Sequence, residues 1–477
     1  MRFSEFFKLN RSQAYLDFVD IPLETDIPVF LDPGAIKSLN SVWGHELTYY
    51  LQNYFEVVLK LIRAGDNARA QKLLSSLNER NEFHLGYSTG KSRGHGFGAG
   101  SAKSVWNALT KSKAISTGLL KDLEDTALLI EGIGSDMISD AVSNILRGPL
   151  IKYTQDICRN YGVQLTPNID SGPIWDPQKE DWYSTLLPLP VTDHGKIILV
   201  PKILVRHRLT FQYDQYHRHY LLPEMQDEHL SSNSSLVEVL KDGTRRVTKE
   251  SLMKKYGRDK LSVIEQTIKR PDVYNDYKKH KLSNPSAPLS HEDFNELENE
   301  AKKLDITPLL KEMKSISSGA KQASEYEDVI EKIFSAIFYP SLCHPIKQHE
   351  IHNGRKRVDI TYINESKIGF FNWLSQHYIC PMIFIECKNY TAEIANPELD
   401  QLSGRFSRNR GQVGILVCRK IENKKLFNQR CIDTANDGRG FILALDDDDI
   451  EKICNEYIND TTCSYNFLRK SWIHLIS

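Results

Sequence analysis

A chain of 477 residues, 40% apolar and 26% charged, is long enough for two or three domains and has the composition of a folded protein. Its formal net charge of −1 excludes a bulk polycation, so a nucleic-acid partner would have to be held by a local basic strip. No apolar run approaches the roughly 18–20 residues that cross a bilayer. The opening MRFSEFFKLNRSQ lacks a signal peptide's apolar core, and eight cysteines without a CxxC pair read as reduced thiols, so a cytoplasmic protein with no membrane partner is expected.

Residues 1–165 read as a mainly helical domain. In VWGHELTYYLQNYFEVVLKLIRAG, Leu47, Leu51, Tyr54, Val58 and Leu61 recur at steps of three and four, an amphipathic helix. Asp66 or Asn67 can cap the next one, ARAQKLLSSL. A further helical stretch, MISDAVSNILRGPLIKYTQDICRNYG, follows Gly134-Ser135-Asp136.

From 166 to 230 the texture changes to a β-rich segment. LPLPVTDHGKIILVPKILV carries prolines that forbid a long helix and β-branched runs around a turn at His194-Gly195. Residues 231–317 form a polar, helical connector containing KLSNPSAPLS, and SISSGAKQAS marks the boundary to a C-terminal domain at 318–477.

Beyond that boundary the order of elements is clear. EYEDVIEKIFSAIF places Tyr326, Val329, Ile330, Ile333, Phe334 and Ile337 on one helical face, with Ser324 as N-cap. A hairpin follows, IKQHEIHNG and RKRVDITYI, turning at Asn353-Gly354. Then come the strand MIFIECKNY, a helix around NPELDQLSGRFSRN, the strand VGILVCRK, the strand GFILAL and a helix opening at DDDDI.

The strand MIFIECKNY carries the chemistry. Side chains alternate along a strand, so Glu386 and Lys388 share one face and Cys387 takes the other, toward the core. Asp359 lies between Val358 and Ile360 on an adjacent strand, opposite that strand's apolar face. Strands pair about 5 Å apart, close enough for both acids to reach one cation. Magnesium takes one or two carboxylates, a carbonyl and waters, and the Cys387 carbonyl could join the set. Lys388 would then orient water or offset charge on a phosphate.

These residues resemble the PD-(D/E)xK nucleases, the restriction-endonuclease-like fold. Asp359, Glu386 and Lys388 match the three motif positions over roughly the last third of the chain. The resemblance implies an α/β domain with a mixed central sheet, giving a multidomain α+β and α/β chain with a helical N-terminal region. It implies a further acid at the metal, after an aromatic on the first helix, matched by Glu327, and a glutamine facing the site on the helix after the lysine, matched by Gln401. The implied activity is Mg2+-dependent hydrolysis of phosphodiesters, with Mn2+ able to substitute, on DNA ahead of RNA. The implied setting is bacterial restriction or anti-phage defence, and pairing of two sites in a dimer or larger homo-oligomer is expected. An N-terminal region of this size is expected to recognise the target, sense a trigger or partner protein, or mediate assembly.

Basic residues flank the motif: Arg355, Lys356 and Arg357 before Asp359, then Arg405, Arg408, Arg410, Arg419 and Lys420 after Lys388. Arginine forks suit phosphate oxygens. Two other readings stand beside this one: a catalytically inactive nucleic-acid-binding or scaffold protein, and a repair or junction-resolving nuclease. GYSTGKS at 86–92 falls one residue short of a phosphate-binding loop and reads as a plain glycine-rich loop. Asp136 with Asp140, and DDDDI, read as acidic helix starts. His207, His217 and His219 lack zinc spacing.

Overall fold

The structure is a computed structural model that describes residues 1–77, 81–86, 109–110, 112–116, 119–297, 304–459 and 464–477. The glycine-rich GYSTGKS segment lies outside the described residues from position 87 onward.

Two apolar cores organise the chain. The first runs from Phe3 to Phe294 and takes in Tyr339 and Cys343; the second runs from Ile306 to Leu475. The N-terminal region is mainly helical. Helix α1 (Val42–Ala64) starts where the Ser41 side chain accepts from Gly44 N–H at 3.0 Å and stops at Gly65, φ 75°. That glycine supplies the left-handed residue that commonly closes a helix. Asp66 caps the next helix through Arg69 N–H. Helices α2 (Ser135–Ile145) and α3 (Arg147–Asn160) cover the predicted stretch, with Asp136 in the first turn of α2.

The small β-segment consists of two-stranded pairs: Thr166–Asp170 with Leu186–Leu189, Ile174–Asp176 with Asp181–Tyr183, and Val191–Thr192 with Gly195–Lys196. It ends sooner than the sequence suggests. Tyr213–Ser231 is a run of helix with one π-helical turn at His217–Leu221, where Tyr216, Leu221, Leu222 and Met225 bury helically spaced apolar groups.

The C-terminal domain is a five-stranded mixed sheet with helices. Helix α4 (Thr307–Ser315) packs on α5 (Ala323–Ile337), which buries all six residues of its predicted apolar face. Ser324 does not cap α5. The helix begins two residues earlier, after a 3-10 turn at Ala320–Gln322, so Ser324 sits exposed inside the first turn. Strands β1 (Leu342–Ile351) and β2 (Lys356–Asn364) form the hairpin, and His352, Asn353 and Gly354 turn it with φ of 55°, 55° and 78°.

Helix α6 (Gly369–His377) leads to β3 (Met382–Lys388), then α7 (Asn396–Ser403), β4 (Val413–Cys418), α8 (Lys424–Asn436), β5 (Phe441–Asp446), α9 (Asp447–Asn459) and α10 (Asn466–Ile476). The strands lie in chain order, β1-β2-β3-β4-β5, the first three antiparallel and the last three parallel. Helices α6, α8 and α10 are absent from the sequence reading. The first is a single aromatic-rich segment of nine residues; α8 buries only Phe427, Cys431 and Thr434, leaving little apolar periodicity to read.

The two cores meet across a seam rich in polar contacts. Arg11 ion-pairs with Glu331 of α5 at 2.5 Å, with 7% and 0% of their side chains exposed. Asp17 accepts from His344 N–H at 2.8 Å and from the Tyr153 hydroxyl at 2.7 Å. Glu365 accepts from Asn40 N–H, and His291 lies 2.9 Å from the Ala336 carbonyl. Helix α5 thus faces the N-terminal body along one side while its first turns carry Glu327.

Candidate active site

The register of the central strands sets the geometry. The β2–β3 ladder runs from Ile363↔Met382 to Ile360↔Ile385, so one step further Asp359 comes level with Glu386. There the backbone ladder gives way to a side chain: Asp359 Oδ2 accepts the Cys387 N–H at 2.8 Å. This bond ties the carboxylate of β2 across the end of β3. Glu386 and Lys388 project to the same side, as alternation requires, into a cleft of about 500 Å³ that Glu327, Asp359 and Gln401 also line.

Glu386 is 1% exposed and Lys388 8%, so two charges sit almost out of water. They are paired. Lys388 Nζ donates to Glu386 Oε1 at 2.8 Å and to Gln401 Oε1 at 3.1 Å, while Gln401 Nε2 donates to that same Glu386 oxygen. Gln401 therefore holds both ends of the pair. The second oxygen, Glu386 Oε2, is buried and accepts no hydrogen bond among the described residues. An orphaned anionic oxygen of this kind is costly unless a cation meets it.

The acids push one another's protonation upward. Glu327 is raised from 4.5 to about 7 by burial and by the Asp359 charge, though Gln348 donates to it at 2.9 Å. Burial also raises Asp359, against the pull of the Cys387 N–H, Lys388 and Arg405. Glu386 is raised by burial and by Asp359, against the pull of Lys388. Burial works to lower Lys388, but Glu386 outweighs it and the ammonium is held in its charged form. Three acids and one ammonium line the cleft, with Arg405 close by, an acid-rich lining of the kind that can take a divalent cation.

Among the described residues, no group of three or more His, Cys, Asp or Glu side chains is arranged to hold a metal ion. The donor set fits a magnesium-type site instead. Such a site takes one or two carboxylates and completes its shell with water and substrate oxygens. The free Glu386 Oε2 and the neighbouring Asp359 meet that description.

Cys387 is half-buried rather than fully in the core, and burial pushes its thiol well above the ordinary range. Arg405 is close enough to act on Asp359 and Glu386. Desolvation at the hairpin tip lowers His352, and the charges of Arg410, Lys356, Arg355 and Arg405 around it lower it further. Lys356 Nζ donates to the Gly404 carbonyl at 2.9 Å, joining the hairpin to the chain after α7, and Arg410 donates to the Arg405 carbonyl at 3.2 Å within that loop. Arg355 and Arg408 are exposed. Arg419 does not belong to this strip: it pairs with Asp447 at 3.1 Å and lies 5.0 Å from the Tyr326 ring, bracing α5. The acidic run at the start of α9 is likewise used internally, Asp447 by Arg419 and Tyr326, Asp449 by Lys424 and Lys452.

Three lining or supporting residues escape the sequence reading. Asn389 donates to the carbonyls of Ser317 and Gly319 at 2.9 Å each, tying the segment before α5 to the end of β3. Tyr390, 45% exposed, stands 5.8 Å from Lys388 Nζ. Gln348 lies on β1 between the pairs Lys347↔Ile360 and His349↔Val358, level with Asp359. Hairpin alternation alone would have placed Gln348 there; Asn389 and Tyr390 follow the strand's end, where alternation stops informing.

Residues 8–212 match the family model described as "Domain of unknown function (DUF8370)". No curated protein and no solved structure matches the chain. The carboxylate cleft lies wholly outside the matched segment.

Proposed function

We propose that the C-terminal domain is a divalent-cation-dependent phosphodiesterase acting on nucleic acid, DNA ahead of RNA. The observation that carries this reading is Glu386: a buried carboxylate with one oxygen fixed by Lys388 and Gln401 and the other bare, beside Asp359. Asp359 and Glu386 would hold Mg2+ or Mn2+, with Glu327 adjoining. The ion, when bound, supplies Lewis acidity that makes water acidic enough to attack and offsets phosphate charge.

The chain's own groups divide the remaining work. Water attacks phosphorus in line, the bond from phosphorus to the 3′ oxygen breaks, and a 5′ phosphate and 3′ hydroxyl result. Glu327, which lines the cleft beside Asp359, is placed to take the proton from the attacking water as general base. Lys388 stays protonated, so it serves as a fixed positive charge toward the phosphate and not as a base. Gln401 locks the Glu386 carboxylate in place. The strip of Arg355, Lys356, Arg405, Arg408 and Arg410 grips backbone phosphates beside the cleft.

Plasmid, linear and single-stranded DNA incubated with the full chain in Mg2+, Mn2+ or EDTA test this. Shortening in metal and none in EDTA is expected, with Asp359→Ala, Glu386→Ala and Lys388→Ala each slower by about 100-fold or more. Cutting by all three variants at the parent's rate would remove the site assignment. DNA held equally in EDTA and never shortened would mark a binding protein.

A further inference from the structure

A second cleft, of about 380 Å³, lies on the far edge of the same sheet and shares no lining residue with the carboxylate cleft. Strand β5 is the sheet's edge strand, and its Ile442, Leu443 and Ala444 form part of the wall. From α10, Phe467, Lys470, Ser471 and His474 recur at helical spacing and face the opening as one stripe. Helix α8 contributes Lys424, Asn428 and Cys431, again a single face, and α9 contributes Lys452.

The charges in this cleft are unbalanced in a definite direction. Among the described residues its one lining acid, Asp449, is already engaged by Lys424 at 2.8 Å and Lys452 at 2.9 Å. Lys424 is also bonded to Asp446 at 2.8 Å. Lys470, His474 and Asn428 have no bonding partner among the described residues, and all three line the cleft. Unpaired donors therefore rim apolar surface made by Ile442, Phe467 and Leu475.

Water satisfies the donors but leaves the apolar wall wet, and an aliphatic ligand does the reverse. A molecule with a flat apolar body and an anionic end satisfies both, and the volume falls within the roughly 300–1,000 Å³ typical of small-molecule sites. Phosphate suits the rim because lysine ammonium groups bind it as point charges and imidazole and amide N–H groups can donate beside them. We propose that this cleft binds a small organic phosphate of mononucleotide size, its ring against Phe467 and Ile442 and its phosphate between Lys470, His474 and Asn428. The site stands independently of the reaction assigned to the carboxylate cleft.

Calorimetric titration of the full chain with AMP, adenosine and inorganic phosphate, all in EDTA, tests the proposal. One AMP per chain is expected, with adenosine and inorganic phosphate each about tenfold weaker or worse. Lys470 is exposed on α10, so Lys470→Glu leaves the fold intact and is expected to weaken AMP by about tenfold or more, whereas Lys388→Ala leaves it unchanged. Absence of saturable AMP binding overturns the proposal. So do AMP binding that Lys470→Glu does not alter, and inorganic phosphate binding as tightly as AMP.

Discussion

Glu386 keeps a charge in a place where charge is expensive, and its protein partners answer only one of its two oxygens. An amide at this position could still accept from Lys388 and Gln401 through its oxygen, while losing the repulsion from Asp359. It would, however, leave the buried Lys388 ammonium without its carboxylate partner, so Glu386→Gln is expected to melt lower than the parent without metal and to lose the rise in melting temperature that Mg2+ gives the parent. Thermal melts with Mg2+ and with EDTA check this. Glu327 makes a complementary prediction about pH. Its folded value of about 7 exceeds its ordinary 4.5, so the folded state binds the proton more tightly. That contribution to stability is fully present below about pH 4.5 and is lost as pH rises through about 7. Asp359 and Glu386, also raised, act in the same direction. In EDTA, Glu327→Gln should flatten the decline in melting temperature between about pH 5 and pH 8, and it should leave the variant the more stable of the two at the alkaline end. An unchanged slope would mean Glu327 is not the group that titrates.

Helix α5 connects the cleft to the rest of the chain. Glu327 and Glu331 stand one turn apart on it, the first in the cleft and the second buried against Arg11 of the N-terminal body. Removing one partner of a buried ion pair strands the other charge, which typically costs about 3–5 kcal/mol. Arg11→Ala is expected to destabilise by that order in urea unfolding, and Arg11→Met with Glu331→Met by markedly less. Equal losses in the single and double variants would mean the pair is not what fixes α5. The elements that the sequence reveals are those with a strong period or a forced turn. The six-residue apolar face of α5, the Asn353-Gly354 turn and the apolar run of β3 all leave a local signature. Helix α8 does not, because most of its surface faces solvent, and the Arg11–Glu331 pair cannot, because its residues lie about a whole domain apart in sequence. Within the cleft, Asp359, Glu386 and Lys388 are legible from alternation on two strands. Asn389 and Tyr390 act from the irregular chain after β3, where no periodicity constrains them.

At the scale of the whole molecule, a chain of net charge −1 concentrates basic side chains at one hairpin tip and the loop beside it. If that strip holds nucleic acid, binding is governed by displaced counterions, and affinity falls steeply with salt. Arg355 and Arg408 are exposed, so their substitution by Ala should weaken DNA binding across sequences and reduce the salt slope by about one unit each. Fluorescence anisotropy over a salt series in EDTA measures this without cutting; slopes that match the parent's would place the nucleic acid elsewhere. Among the described residues, no helix is long and apolar enough to cross a membrane, and the two cores instead meet each other through the seam around Arg11, Asp17 and Glu365.

The convergence of Asp359 and Glu386 on a single divalent ion can be measured without any substrate or trigger, by titrating the full chain with Mn2+ and following the free ion by electron paramagnetic resonance. One bound Mn2+ per chain is predicted for the parent and for Lys388→Ala, and loss of that ion in Asp359→Asn and in Glu386→Gln. Mn2+ bound equally by the parent and both carboxylate variants, or by none of them, would contradict the account.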